Sequence, residues 1–344
     1  INYLILFLIL FLLNSFIFYN LKKISTKINV YDNPSSIKYQ KKAVPSTGGI
    51  FLLINIIITV TYVLIFDYEI IQKTFFIYDN KQLLIFLFSL LIIFFVGLYD
   101  DKFGLNANQK LFYIIPVIIL LIYVDEGLKV TQLNFTFHNL NIDLNRTSVI
   151  FSTICVLTYL NCINMFDGIN LQTSLTIIGI LALIQVYLNS IDPILVTIII
   201  YLIYFSFYNY KSKIYLGDSG SLVLALILGY ILIKSHNILF IKSDIIFSFT
   251  IFHFSDMVRL IFKRLLNGRQ PFAGDNDHIH HRLVKKMNLN YAVIITFSSV
   301  MIPLALNIFT NFSYNLLIMI LSVINYIFLI IFTSDKKNFK KNSK

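Results

Sequence analysis

The chain has 344 residues, 57% of them apolar and only 13% charged, with a formal net charge of +11. So small a charged fraction cannot wet the surface of a soluble domain of this length, so the bilayer must be its solvent. The excess positive charge sits on particular loops and not in one patch or stripe, which argues against a nucleic-acid partner and for a membrane protein with one basic face.

Stretches free of Asp, Glu, Lys and Arg cover residues 1–21, 43–66, 82–99, 147–166, 168–191 and 193–210. Each is close to the roughly 17–25 residues that span a hydrocarbon core. Residues 111–124 and 219–233 need a few flanking positions to reach that length. Residues 245–262 carry Asp256 and Arg259, and 287–334 divides near Asn311 into two spans with Pro303 inside the first. The expectation is an all-α integral membrane protein of about eleven transmembrane helices. It forms a single polytopic domain over 1–334, followed by a basic tail at 335–344. The opening run has no basic n-region and no small-residue cleavage site before Lys22, so it is expected to span. Cys155 and Cys162, the only two cysteines, read as small apolar packing residues.

With eleven spans, alternate loops face the same side. Loops 21–47, 100–110, 209–218, 263–290 and the segment after 333 hold twenty-one of the 28 lysines and arginines; the other set holds only Lys73, Lys81, Lys129, Arg146, Lys234 and Lys242. Basic residues collect on cytoplasmic loops, so the first set is expected inside, with the N-terminus outside and the C-terminus cytoplasmic. The tail suits anionic headgroups. On the outer side, the alternation in TQLNFTFHNLNIDL predicts a short hairpin.

Five polar clusters fall on the cytoplasmic side, where polar residues at span ends mark function if they converge. In KKAVPSTGGI, Gly48 and Gly49 lead into a helix, and glycines at a helix start let backbone donors approach an anion. In GLYDDKFGL, the adjacent Asp100 and Asp101 would repel one another unless hydrated or neutralised by a divalent metal or a base such as Lys110. In NCINMFDGIN, Asn161, Asn164 and Asp167 recur at helical spacing and share a face before Gly168 ends the helix. Amides and a carboxylate there are costly unless they meet a polar ligand. In YLGDSGSL, Asp218 among small residues is the hard oxygen ligand that a phosphate-bound Mg²⁺ requires. Tyr215 just upstream offers a ring for a nucleobase, or is one more interfacial tyrosine. In NGRQPFAGDNDHIHHRL, His278, His280 and His281 lie beside Asp275, Asp277, Arg269 and Arg282. The H-E-x-x-H spacing of a zinc protease is absent, and imidazoles with arginines suit a diphosphate. Asp256 and Arg259, three apart, are expected to neutralise each other. His138, His236 and His253 receive no role.

In this order, over roughly residues 30–289, the clusters resemble the polyprenyl-phosphate N-acetylhexosamine-1-phosphate transferases of glycosyltransferase family 4. That family includes the enterobacterial-antigen and O-antigen initiating enzymes and the peptidoglycan lipid I synthase. HIHHRL after NGRQPF is similar to the hexosamine branch; the lipid I synthase branch has three consecutive histidines. The resemblance implies Mg²⁺-dependent (or Mn²⁺-dependent) transfer of sugar 1-phosphate from a UDP-sugar to undecaprenyl phosphate at the inner membrane, releasing UMP, with N-acetylglucosamine as the default sugar. It implies Asp218, with Asp101, at the metal; Asp100, Asp101, Lys110, Asn164 and Asp167 as catalytic; and Lys42 (or Lys41), Gly48, Gly49, Asn161, Asn170, Tyr215, Arg269, His278, His280, His281 and Arg282 around the substrates. Where the family commonly reads D-G-x-D-G-L, this chain has DGINLQ, so Asn170 replaces an Asp and cannot act as a base. A homodimer is left open. A secondary transporter would require inverted repeats and a midplane site, and neither is visible.

Overall fold

The computed structural model describes residues 3–34, 42–75, 77–137, 140–187, 191–239, 241–271, 276–310 and 314–334. Lys41, His138, Asp275, Asn311 and the tail 335–344 lie outside the described residues. The first helix, α1 (Tyr3–Tyr19), bends by 76° into α2 (Leu21–Ile28). Two-residue strands β1 (Tyr31–Asp32) and β2 (Val44–Pro45) pair antiparallel ahead of α3 (Gly48–Phe66) and the short α4 (Tyr68–Phe75). Next come α5 (Asn80–Phe103) and α6 (Ala107–Val124), joined by a tight turn. Asn106 and Gln109 close that turn reciprocally: the Asn106 side chain accepts from the Gln109 amide at 2.9 Å, and the Gln109 side chain accepts from the Asn106 amide at 3.1 Å.

The expected outer hairpin is present as β3 (Gln132–Asn134) and β4 (Asn141–Asp143), with Leu133 opposite Ile142. The remaining helices are α7 (Ser148–Phe166), α8 (Gln172–Tyr187), α9 (Pro193–Tyr210), α10 (Gly217–Leu239), α11 (Ser243–Ser248), α12 (Ile251–Leu266), α13 (Ile279–Lys286), α14 (Leu289–Phe309) and α15 (Asn315–Thr333).

Among the described residues, eight helices are long and apolar enough to cross a membrane: α3, α5, α6, α7, α9, α10, α14 and α15. There are nine if the bent α1–α2 pair counts as one span. The chain is therefore a multi-pass helical membrane protein, with fewer full-length spans among the described residues than the eleven runs suggest. Two runs fall short for local reasons. The run 168–191 yields a helix of only 16 residues, because Leu171 takes a left-handed backbone (φ 71°) and the helix starts after it. The run 245–262 is broken between α11 and α12 at Phe249–Thr250.

Helix α10 forms the centre of the bundle, packed against α3, α5 and α7, and is 83% buried along its apolar window. An all-round apolar sequence from Leu222 to Ile233 dictates that burial. The far end of α10 is pinned by Lys234, which the sequence placed among the outer-loop charges. Lys234 instead forms a fully buried ion pair with Asp125 at 2.7 Å, and Tyr230 donates its hydroxyl to the same carboxylate. Asn237 donates to the Gly127 and Lys129 carbonyls at 2.7 and 3.1 Å.

Candidate active site

The near end of α10 is where the chemistry gathers. Asp100 and Asp101 end α5, Lys110 opens α6, Asp167 caps α7 and Asp218 opens α10. The Lys110 ammonium bridges the carboxylates of Asp100 and Asp218, three side chains from three helices. Asp100 uses its other oxygen to accept the Leu105 amide at 2.5 Å, fixing the α5–α6 turn.

Asp101 has a different task from its neighbour. One oxygen accepts the Asp218 amide at 2.8 Å; the other accepts the Ser219 amide at 3.0 Å and hydroxyl at 2.7 Å. It caps the first turn of α10, satisfying donors that a helix start leaves orphaned. A carboxylate so engaged is poorly placed to ligate a metal. Gly48 and Gly49 also depart from the anion-cradle reading: their amides donate to the Tyr215 and Leu216 carbonyls at 3.0 and 2.9 Å. Their service is steric, since a Cβ on Gly49 would lie 2.4 Å from Gly220 N and Ser219 Oγ. Gly97 of α5, the first residue of GLYDDKFGL and given no role in the sequence, does the same on the other side; a Cβ there would lie 2.6 Å from Ser219 Cα. Three glycines and the GDSGS turn thus bring α3, α5 and α10 backbone to backbone around Asp218.

Beside this centre opens a cleft of about 490 Å³, within the roughly 300–1,000 Å³ of small-molecule sites. Lys110, Asn161, Asn164, Arg264, Gln270, His278 and His281 supply its polar lining. An apolar flank of Leu111, Ile114, Leu157 and Leu160 runs between α6 and α7. Asn164 donates to Ser221 at 2.9 Å, tying the end of α7 to α10, while Asn161 donates back to the Leu157 carbonyl at 2.8 Å. Asp167 lies just past α7. Burial, with the charge of Asp218 adding, pushes its carboxyl up to about 7.

Asn170 donates to Ser212 at 2.7 Å, joining the α7–α8 turn to the loop before Tyr215. Asn209, unremarked in the sequence, locks the same pair of segments by accepting the Leu171 amide at 2.6 Å and donating to the Ile214 carbonyl at 2.9 Å. Lys42 is exposed ahead of β2, and Arg269 is exposed beyond α12.

The histidine segment is held by a charge network. Arg259 meets Asp256 as expected at 2.9 Å but also Asp277 at 2.9 Å, and Lys263 and Arg282 meet Asp277 at 2.8 and 2.9 Å. Arg282 is thereby an anchor of the loop. Burial would raise the Asp277 carboxyl, but hydrogen bonds from Lys263 and Arg259 and the charge of Arg282 outweigh it and hold it at about 2. His280 is fully buried, its ring centroid 5.3 Å from His278 and 4.2 Å from His281. Burial, then the neighbouring imidazoles, keep it well below the usual histidine range and neutral. The cleft residue missed from sequence is Arg264, buried at the end of α12 and donating to the Pro271 carbonyl at 2.8 Å.

The donor chemistry allows a test for Mg²⁺. The point on which the Asp100 and Asp218 carboxylates converge is held by the Lys110 ammonium, so the one or two carboxylates that Mg²⁺ takes are open to it only when that ammonium turns to the substrate phosphates. Among the described residues no group of three or more His, Cys, Asp or Glu gathers as an all-protein cage.

The model of the glycosyl transferase family 4 matches residues 83–236. A probable undecaprenyl-phosphate N-acetylglucosaminyl 1-phosphate transferase of Bacillus subtilis (strain 168) is 27% identical over 275 residues, 76% of this chain and 72% of that protein. The phospho-N-acetylmuramoyl-pentapeptide-transferase of Staphylococcus haemolyticus is 28% identical, covering 63% of this chain and 70% of its own length. An undecaprenyl-phosphate alpha-N-acetylglucosaminyl 1-phosphate transferase of Salmonella typhi is 24% identical, covering 80% and 75%. Over residues 83–236 the chain is similar to glycosyl transferase family 4, and with the relatives it matches it is an enzyme of the glycosyl-1-phosphate transferase type.

Proposed function

We propose that the protein transfers an N-acetylhexosamine 1-phosphate, by default N-acetylglucosamine 1-phosphate, from a UDP-sugar to undecaprenyl phosphate, releasing UMP. The observation that carries this reading is the Lys110 bridge between Asp100 and Asp218 at a cleft that Arg264, His278 and His281 also line. Such a site gathers the cations that two polyanions require when they meet. Relatives named for N-acetylglucosaminyl 1-phosphate transfer cover more of the chain than the muramoyl-pentapeptide one, which supports the sugar. The loop charge asymmetry supports a cytoplasmic site at the inner membrane, with the N-terminus outside and the C-terminus inside.

The reaction joins a lipid phosphate oxygen to the β-phosphorus of the donor while the bond to UMP breaks. Each pair of like charges brought to about 4 Å opposes this by about 4 kcal/mol at an effective dielectric near 20. Lys110 supplies an ammonium where the two phosphates meet, and Arg264 offers donors to the nucleotide-sugar. Asp218 and Asp100 would hold Mg²⁺ once Lys110 has turned to the phosphates, and the ion would supply further positive charge for the phosphoryl oxygens. Asp101 positions Asp218 by holding the start of α10. The apolar flank of Leu111, Ile114, Leu157 and Leu160 receives the first isoprene units of the acceptor. A lipid monoester with a second pKa of about 6 is already largely ionised at pH 7, so direct attack is favoured over a covalent aspartyl intermediate.

The test is UMP release by purified protein in detergent from UDP-N-acetylglucosamine, with and without undecaprenyl phosphate and Mg²⁺. Release should require both. Release that ignores the lipid, or no release with any of a panel of UDP-sugars, would remove the proposal.

A further inference from the structure

Asp256 lies on α12, away from the paired acids, and the sequence reading left it as a partner for Arg259. In the structure its two oxygens have separate partners. Oδ1 accepts from Arg259 at 2.9 Å and from the Tyr326 hydroxyl at 2.8 Å. Oδ2 accepts from Nδ1 of His278 at 2.8 Å. The carboxylate is buried, and the Ile279 amide points at it from 3.3 Å. His278 in turn lines the cleft.

We infer that Asp256 is a positioning residue that fixes the His278 tautomer, placing the ring proton on Nδ1 and leaving Nε2 to the donor side of the cleft. A carboxylate can only accept, so the nitrogen facing it must carry the proton. The tautomer of an imidazole is set by the hydrogen bond its other nitrogen makes. Arg259 and Tyr326 keep Oδ1 engaged, so the carboxylate cannot rotate away from the ring without losing two bonds. Asp256 touches neither substrate; it acts through His278. The kinetic part of this inference rests on the proposed reaction, whereas the tautomer part does not.

The discriminating variant is Asp256→Asn, which keeps shape and volume. Its amide oxygen stays with Arg259 and Tyr326, so its NH₂ faces His278 and donates to Nδ1, moving the ring proton to Nε2. The readout is ¹⁵N NMR of histidine-labelled protein in detergent, with the His278 signals assigned by difference against His278→Gln. The native protein should show the Nδ1-protonated form and Asp256→Asn the Nε2-protonated form. Tyr326→Phe, which removes a partner only from Oδ1, should leave the native form in place. In the transferase assay Asp256→Asn should lower kcat/KM for the UDP-sugar by about 2- to 10-fold, the loss of one neutral hydrogen bond that Nε2 accepts from an O–H or N–H of the UDP-sugar, with KM for undecaprenyl phosphate unchanged. Tyr326→Phe should stay near native.

An Nδ1-protonated His278 in Asp256→Asn would overturn the inference. So would equal kinetic losses in Asp256→Asn and Tyr326→Phe, which would mark a structural role only. If the tautomer inverts as expected but no UDP-sugar is turned over by the native protein, the proposed reaction fails and the Asp256 assignment stands.

Discussion

Gly97→Ala should cripple turnover while leaving the fold intact. The new Cβ would lie 2.6 Å from both Ser219 N and Ser219 Cα and 2.7 Å from the Asp218 carbonyl carbon, where ordinary contact needs 3.4–4 Å. All three obstacles are backbone atoms, so no side chain can swing aside, and α5 and α10 must part by about 1 Å. Overpacking of this kind costs about 1–3 kcal/mol of stability, which a bundle of this size absorbs. The same displacement separates Asp100 and Asp101 on α5 from Asp218 on α10, and a misplacement of about 1 Å costs on the order of 10²-fold in rate. The assay is lipid-dependent UMP release together with a thermal melt. Gly229→Ala, farther along α10, is the control: its nearest atom is the movable Tyr159 ring carbon at 3.3 Å, so it should behave as native. Gly97→Ala with native turnover would refute the claim that helix spacing at Ser219 sets the acid geometry.

Asp218→Asn should abolish Mg²⁺-dependent UMP release, measured in the same assay with the ion titrated. Lys234→Met, which leaves Asp125 buried without its cation, should destabilise the protein by about 3–5 kcal/mol, visible as a lowered unfolding midpoint with kcat little changed. Adding Asp125→Leu should restore most of that loss. For Asp167, whose carboxyl is pushed up to about 7 against an ordinary 3.8, the native state binds more protons than the unfolded chain between those values. Stability should therefore fall as pH rises from about 4 to about 7, and Asp167→Asn should flatten that fall in melts run without divalent ions. Asn170→Ala should raise KM for the UDP-sugar by loosening the Ser212 link, with kcat nearly kept; a loss confined to kcat would contradict it.

Much of this was readable before any coordinates. Runs without charge mark the bilayer-crossing segments because hydrocarbon tolerates no free ions, and all eleven runs are largely helical where described. The Asp100, Lys110, Asn164 and Asp218 clusters stood out because polar residues at span ends are costly without a purpose. What sequence could not supply was the assignment of partners. Asp100 and Asp101 are identical neighbours in one motif, yet one meets a lysine and the other caps a helix more than a hundred residues away. Gly97 sits in an apolar run where a glycine carries no signal until α10 is packed against it. Arg264 read as one more cytoplasmic charge because nothing in KRLLNGRQ says which arginine turns into the cleft. The short α8 and the broken α11–α12 were invisible because hydropathy counts length, while Leu171 and Thr250 set where backbone helices start.

The measurement that bears most directly on the account follows the β-phosphorus. UDP-N-acetylglucosamine labelled with ³²P at the β position, incubated with purified protein, undecaprenyl phosphate and Mg²⁺, should deliver its label to the lipid fraction in step with the UMP formed. Label left in the aqueous phase as UDP, with unlabelled sugar on the lipid, would mean that the sugar–phosphate bond breaks instead, and the account would be wrong.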